Sequence, residues 1–143
     1  MSETTKTSGS GFTAEERAAM RERNKELKTR QSKEADLAAV LEKIAGMTDA
    51  DRAMATKVHE IATQVVHTLD PRLWYGSPAY YQDGKLICFF QDSGKFKTRY
   101  ATLGFSDNAR LDDGTIWPSS YALTEMTPHA EKLVRDLVTR AVD

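Results

Sequence analysis

Cysteine is almost missing from this chain of 143 residues: Cys88 stands alone. One thiol excludes an intramolecular disulfide and a zinc site built on several cysteines, and it points to a reducing compartment. Long apolar runs are missing too. A stretch such as Leu86 to Phe90 is far too short to span a bilayer. The opening residues, Met1 to Gly11, are rich in Ser, Thr and Gly and carry no apolar run, so they do not read as a signal peptide. A soluble, cytoplasmic protein is the expectation. Nor is there an excess of one charge: 20 Lys and Arg face 21 Asp and Glu, a net charge of -1. Global charge therefore argues neither for nucleic acid nor for a membrane surface as partner. No GxGxxG, P-loop or GxSxG occurs, and no histidine has a claim on Ser93 or Ser106, so no specific enzyme chemistry is supported.

What is present fits one α+β domain. Residues 1–12 offer nothing to bury and read as a disordered N-terminus. Residues 13–45 read as a helical arm. Thr13 and Glu16 make a capping-box pattern that opens a helix through about Arg30, with a thin apolar face of Ala14, Ala18, Met20 and Leu27. Arg17, Arg21, Arg23, Lys25, Lys28, Arg30 and Lys33 outnumber Glu22 and Glu26 there. That segment is either a solvated helix or an arm for an acidic partner or a phosphate backbone, and it lacks the aromatics that would stack on bases. Leu37, Val40, Leu41 and Ile44 recur at helical spacing and Gly46 closes the run. Residues 46–143 form the main domain. Thr48 caps a helix with Met54, Val58, Ile61, Ala62, Val65 and Val66 on one stripe, ending near Leu69 because Pro71 disfavours helical geometry at Asp70.

Beyond Pro71 glycines and prolines recur at short intervals, which predicts antiparallel strands. Asp83-Gly84 is a hairpin signal between Ala79–Gln82 and Lys85–Gln91, since both central residues of a type I′ turn need positive φ. A third strand is expected over Lys95 to Phe105, with Lys95, Lys97 and Arg99 alternating with Phe96, Thr98 and Tyr100. Thr127 and Pro128 open a final helix that buries Ala130, Leu133, Val134, Leu137, Val138 and Ala141.

Candidate chemistry is sparse. His59 and His67 are eight residues apart and do not project together as metal ligands; His129 sits in a helix's first turn, a poor place for a cation. Cys88, between Ile87 and Phe89, reads as a buried thiol. Asp107, Asp112, Asp113 and Glu125 are the only carboxylates grouped well enough for a hard cation such as iron, although Ala109 and Leu111 rule out an EF-hand loop and Asp112-Asp113-Gly114 is equally a turn. Trp74, Tyr75, Tyr80, Tyr81, Tyr100, Trp117 and Tyr121 crowd the strand-rich half. They are either core and rim packing or the lining of a groove.

Several motifs in that half resemble a known family. Trp74-Tyr-Gly-Ser-Pro-Ala-Tyr80, Asp83-Gly-Lys-Leu-Ile-Cys-Phe-Phe-Gln91, Lys97-Thr-Arg-Tyr-Ala-Thr-Leu-Gly-Phe105, Leu111-Asp-Asp-Gly114 and Trp117-Pro118 occur in the order found in the YdhG-like group, bacterial domains of unknown function. The match runs from about Gly46 to Val142, and Gly11 to Met20 resembles an extension carried by some actinobacterial members. The resemblance implies a two-layer, secretion-chaperone-like fold with an antiparallel sheet packed against helices. Some relatives carry the label of frataxin-like iron chaperones.

Two functions follow as expectations. The first is a non-catalytic binding module, monomer or weak dimer, whose sheet face takes a small molecule or protein segment through Trp74, Tyr80, Lys97, Arg99, Tyr100 and Trp117, with no cofactor. The alternative is an iron-binding chaperone using Asp107, Asp112, Asp113 and Glu125.

Overall fold

The computed structural model describes residues 12–29 and 32–143; the expectation for the residues before Phe12, like that for Arg30 and for the Leu27 side chain, lies outside what is described. The elements run α1 (Ala14–Thr29), α2 (Lys33–Ala45), α3 (Asp49–Glu60), a π-helical turn (Ile61–Val65), β1 (Asp70–Trp74), β2 (Ser77–Gln82), β3 (Lys85–Gln91), α4 (Ser93–Phe96), β4 (Ala101–Phe105), β5 (Ser120–Leu123) and α5 (Pro128–Ala141). The fold is α+β, an antiparallel five-stranded meander with strand order β1-β2-β3-β4-β5 and an N-terminal helical arm.

Local chemistry starts these helices as the sequence dictates. Thr13 N–H donates to Glu16 Oε1 at 2.8 Å while Glu16 N–H donates to Thr13 Oγ1 at 3.0 Å, a complete capping box. Ser32, Thr48 and Thr127 each cap the following helix with a side-chain oxygen. The helix through Val58 does not stay regular. Thr63 Oγ1 donates to the His59 carbonyl at 2.7 Å, competing for the acceptor an α-turn would use, and the chain widens into the π-helical turn. Two tight hairpins shape the sheet. Tyr75 and Gly76 (φ 52° and 76°) join β1 to β2, and Asp83 and Gly84 (φ 52° and 80°) join β2 to β3.

Register sorts the side chains onto two faces, because directly opposed residues share a face and successive residues alternate. Leu73, Tyr80, Cys88, Phe90, Leu103, Phe105 and Leu123 meet Val40 and Ile44 of α2, Met54 and Val58 of α3, and Val134, Leu137 and Val138 of α5 in one core. Arg72, Trp74, Ala79, Phe89 and Gly104 take the opposite face. There Trp74 stacks on Phe89 at 4.6 Å, and Phe89 lies so close over Gly104 that a β-carbon at that position would collide with its ring. Of the two arm helices, α2 lies along the edge strand β1 and contributes to the core, whereas α1 reaches β1 and α4 from outside it.

One expected strand is only half formed. Lys95 to Tyr100 is not extended: Asp92 caps α4 by accepting from Lys95 N–H at 3.0 Å, and Lys97 ends that turn in the left-handed region at φ 55°. The lysine–aromatic alternation imitated a strand, but capping by Asp92 and a distant carboxylate, Asp51, decide the conformation.

Candidate functional site

A cleft of about 990 Å³ lies between α1, α2, the start of α3, β1 and α4. Four cations and several carboxylates line it, among them Glu22, Glu26, Arg72, Lys43 and Lys95. Asp92, Gly94 and Lys95 bring the α4 turn to it, and the β1–β2 turn lies next to Lys95. Tyr75, a bulky residue at positive φ, is strained there. It is held by an edge-on contact with Trp74 at 4.7 Å, and its carbonyl accepts from Lys95 Nζ at 3.0 Å. Gly76 suits its positive φ, and a β-carbon there would push aside the tips of Lys95 and Glu22.

Asp51 fixes α4. This carboxylate is buried and accepts from Ser93 Oγ at 2.9 Å, Gly94 N–H at 2.9 Å and Thr48 Oγ1 at 3.1 Å. Burial alone would raise its pKa; the hydrogen bonds from Gly94, Ser93 and Thr48 outweigh that and hold it below the usual value. The result is a rigid base for Lys95.

Against this base lies α1, and it presents carboxylates. Glu15 Oε2 is 2.7 Å from Lys97 Nζ, Glu22 bridges Lys95 Nζ at 2.5 Å and Lys43 Nζ at 2.8 Å, and Glu26 Oε2 accepts from Gly76 N–H at 2.9 Å. Spacings of seven and four residues keep these three side chains on one helix face, within roughly 40° of each other. The environments differ. Burial opposes ionisation of Glu22, but hydrogen bonds and charge from Lys43 and Lys95 prevail and lower its pKa. For Glu26 burial prevails and raises the pKa, offset only in part by the Gly76 amide and Arg23. Two polar atoms of cleft residues, Glu26 Oε1 and Arg72 Nε, are buried without a hydrogen-bond partner. The nearest opposite charges, Arg23 and Asp36, stop at 3.8 Å.

The residues expected to line a sheet-face groove are dispersed. Tyr80 is fully buried on the helix-covered face, where its hydroxyl meets His59 Nδ1 at 2.9 Å. Trp74 is on the opposite face, against Phe89. Lys97, Arg99 and Tyr100 belong to the link between α4 and β4 rather than to a strand; Lys97 is paired with Glu15 and Arg99 lies over the Tyr100 ring at 5.2 Å. Trp117, in the β4–β5 connection, packs against the core. These six side chains do not share one sheet face, because the alternation that would have aligned Lys97, Arg99 and Tyr100 is absent. Asp107, Asp112, Asp113 and Glu125 are all exposed, and among the described residues no three His, Cys, Asp or Glu side chains converge to hold a metal.

The chain matches no family model, no curated protein and no solved structure. Its cleft must therefore be read from its own chemistry. Sequence reasoning passed over residues that line it, Glu22, Glu26, Lys43, Arg72 and Lys95, and the neighbouring Glu15 and Gly76 that help to seat α1. The signal was present in the helical spacing of the three glutamates, but the surplus of arginine and lysine in the same segment drew attention to the wrong face of α1.

Proposed function

We propose that the chain is a non-catalytic binding module whose binding surface is the charged cleft beneath α1. The observation that carries this reading is the cleft's size and lining: about 990 Å³, walled by opposed lysines, an arginine and carboxylates from several elements. Pockets for apolar metabolites are lined mainly by hydrophobic and aromatic side chains. This one instead suits a polar or charged molecule, or a protein segment, held by charge-assisted hydrogen bonds. Glu26 Oε1 and Arg72 Nε support the same reading, since each is buried with an ion pair at 3.8 Å but no hydrogen bond, which a polar ligand would supply. Membership of the YdhG-like group is a proposal on the sequence motifs alone. A cytoplasmic setting is likewise a proposal, supported by one cysteine, which is buried, and by the lack, among the described residues, of any helix long and apolar enough to cross a membrane.

The test is an amide NMR titration with a panel of small organic anions and acidic peptides. Saturable shifts shared by Gly46, Leu73, Gly76 and Gly94 are expected. Shifts confined to the Trp74 and Phe89 face would move the site to the sheet. A panel that leaves every cleft amide unmoved would refute the reading.

A further inference from the structure

We propose that α1 is an intramolecular stand-in for an acidic helix of a partner protein, seated on a basic cradle from which that partner displaces it. The inference rests on the charged region beneath α1 being the binding surface, and it names a partner that takes the place of α1 as one wall of the cleft.

The way α1 is held motivates it. Lys97, Lys95, Lys43 and the Gly76 amide each meet a carboxylate of the helix. Apolar anchoring is slight: among the described α1 side chains only Ala19 is buried, and Phe12 just before it is 49% exposed. By contrast α5 buries Val134, Leu137, Val138 and Ala141. Partly exposed ion pairs hold far less firmly than a buried apolar stripe.

The cradle does not depend on α1 for its shape. Lys43 projects from α2, whose Val40 and Ile44 are in the core. Lys95 follows the turn pinned by Asp51 and Asp92, and Gly76 belongs to a hairpin turn fixed by β-pairing. Removing α1 would leave three ammonium groups and an amide donor in place.

Length selects the class of occupant. Glu15 and Glu26 are eleven residues apart, which along a helix is roughly 16 Å. A small anion reaches one or two of these positions; a helix with carboxylates at i, i+7 and i+11 reaches all of them. The fit of α1 is also imperfect, because Glu26 Oε1 is buried with no hydrogen bond and only a 3.8 Å ion pair to Arg23 of the same helix, and Arg72 Nε is buried with only a 3.8 Å ion pair to Asp36. An occupant that satisfied both would bind more tightly, and this makes exchange favourable.

The experiment uses the full chain and a fluorescent peptide of residues 12–29 added in trans. A chain carrying Glu15→Gln, Glu22→Gln and Glu26→Gln should bind the peptide at least tenfold more tightly than the unaltered chain, whose own α1 competes. Adding Lys43→Gln and Lys95→Gln should abolish binding, as should placing the three glutamines in the peptide. A scrambled peptide of equal composition should bind at least tenfold more weakly. Equal affinity for unaltered and triple-variant chains would overturn the stand-in role while leaving the cleft a binding surface. Absence of peptide binding by a triple variant with a native amide spectrum would also overturn it, and the anion panel would then decide whether the cleft binds anything. Dimerisation of the unaltered chain, blocked by the peptide, would replace the partner protein with a second copy's α1 and so overturn the partner assignment.

Discussion

Replacing Asp51 by alanine tests how the body of the protein shapes its site. The carboxylate is 1% exposed and joins the first turn of α3 to α4, more than forty residues later in the chain. Three donors lose their acceptor in the variant: Ser93 Oγ, Gly94 N–H and Thr48 Oγ1. A hydrogen bond to a charged group contributes about 1.5–3 kcal/mol net. The two hydroxyls can rotate and Gly94 is exposed, so water recovers part of this, and a total loss of about 2–4 kcal/mol is expected. For a chain of this size that lowers Tm by roughly 10 °C. Urea denaturation followed by the fluorescence of Trp74 and Trp117 measures it directly. The pH dependence has a fixed sign. The folded pKa of Asp51 is below its ordinary value of 3.8, so its stabilisation is fully present above that value and fades as pH falls through the depressed one. The gap between parent and variant should therefore be flat from pH 5 to 8 and close below about pH 4. A loss under 1 kcal/mol, or a gap that widens in acid, would refute the assignment of Asp51 as the anchor of α4.

Three further outcomes follow from other parts of the fold. Gly104→Ala should cost about 1–3 kcal/mol by driving a β-carbon into the Phe89 ring, and Phe89→Leu should relieve part of that in the double variant; strictly additive losses in urea denaturation would count against the contact. Burial lowers the folded pKa of His59 despite the charge of Glu60, so its contribution is present above the ordinary value of 6.5 and is lost as pH falls towards the folded value. An imidazole resonance that titrates at or above 6.5 in the native protein would contradict this. Burial pushes the Cys88 thiol up to about 12, so a thiol reagent at pH 8 should react only as the protein unfolds, and rapid labelling of the native chain would show the core to be wrongly placed.

What the sequence disclosed was local. Capping by Thr13, Thr48 and Thr127, the Asp83-Gly84 hairpin and the buried stripe of α5 each depend on residues within a few positions, and all are present, except that Leu133 of the expected stripe is exposed and Ala130 only half-buried. What it hid was decided at long range. Residues 95–100 follow Asp51 rather than their own alternation. Tyr80 goes to the helix-covered face because of a register that also shifts between Tyr80 and Tyr81, and a periodicity argument has no access to either choice. The glutamate stripe was a different failure. Its spacing was legible, but counting net charge over a helix averages two faces that meet different neighbours.

That last point bears on the binding surface proposed beneath α1. The core holds the sheet to α2, α3 and α5 through apolar contacts that salt does not weaken. Among the described side chains, the joint between α1 and this body is mainly ionic, with its partners 14–34% exposed on the acidic side. Such a joint is screened by salt and competed by other carboxylates, so it is the weakest major contact among the described residues. A module that must open for a ligand without unfolding needs its separable contact to be made of different physics from its core. On the described part of α1, Glu15, Glu22 and Glu26 face the body while Arg17 and Arg21 are exposed, so the helix is seated by charges that another acidic surface can replace.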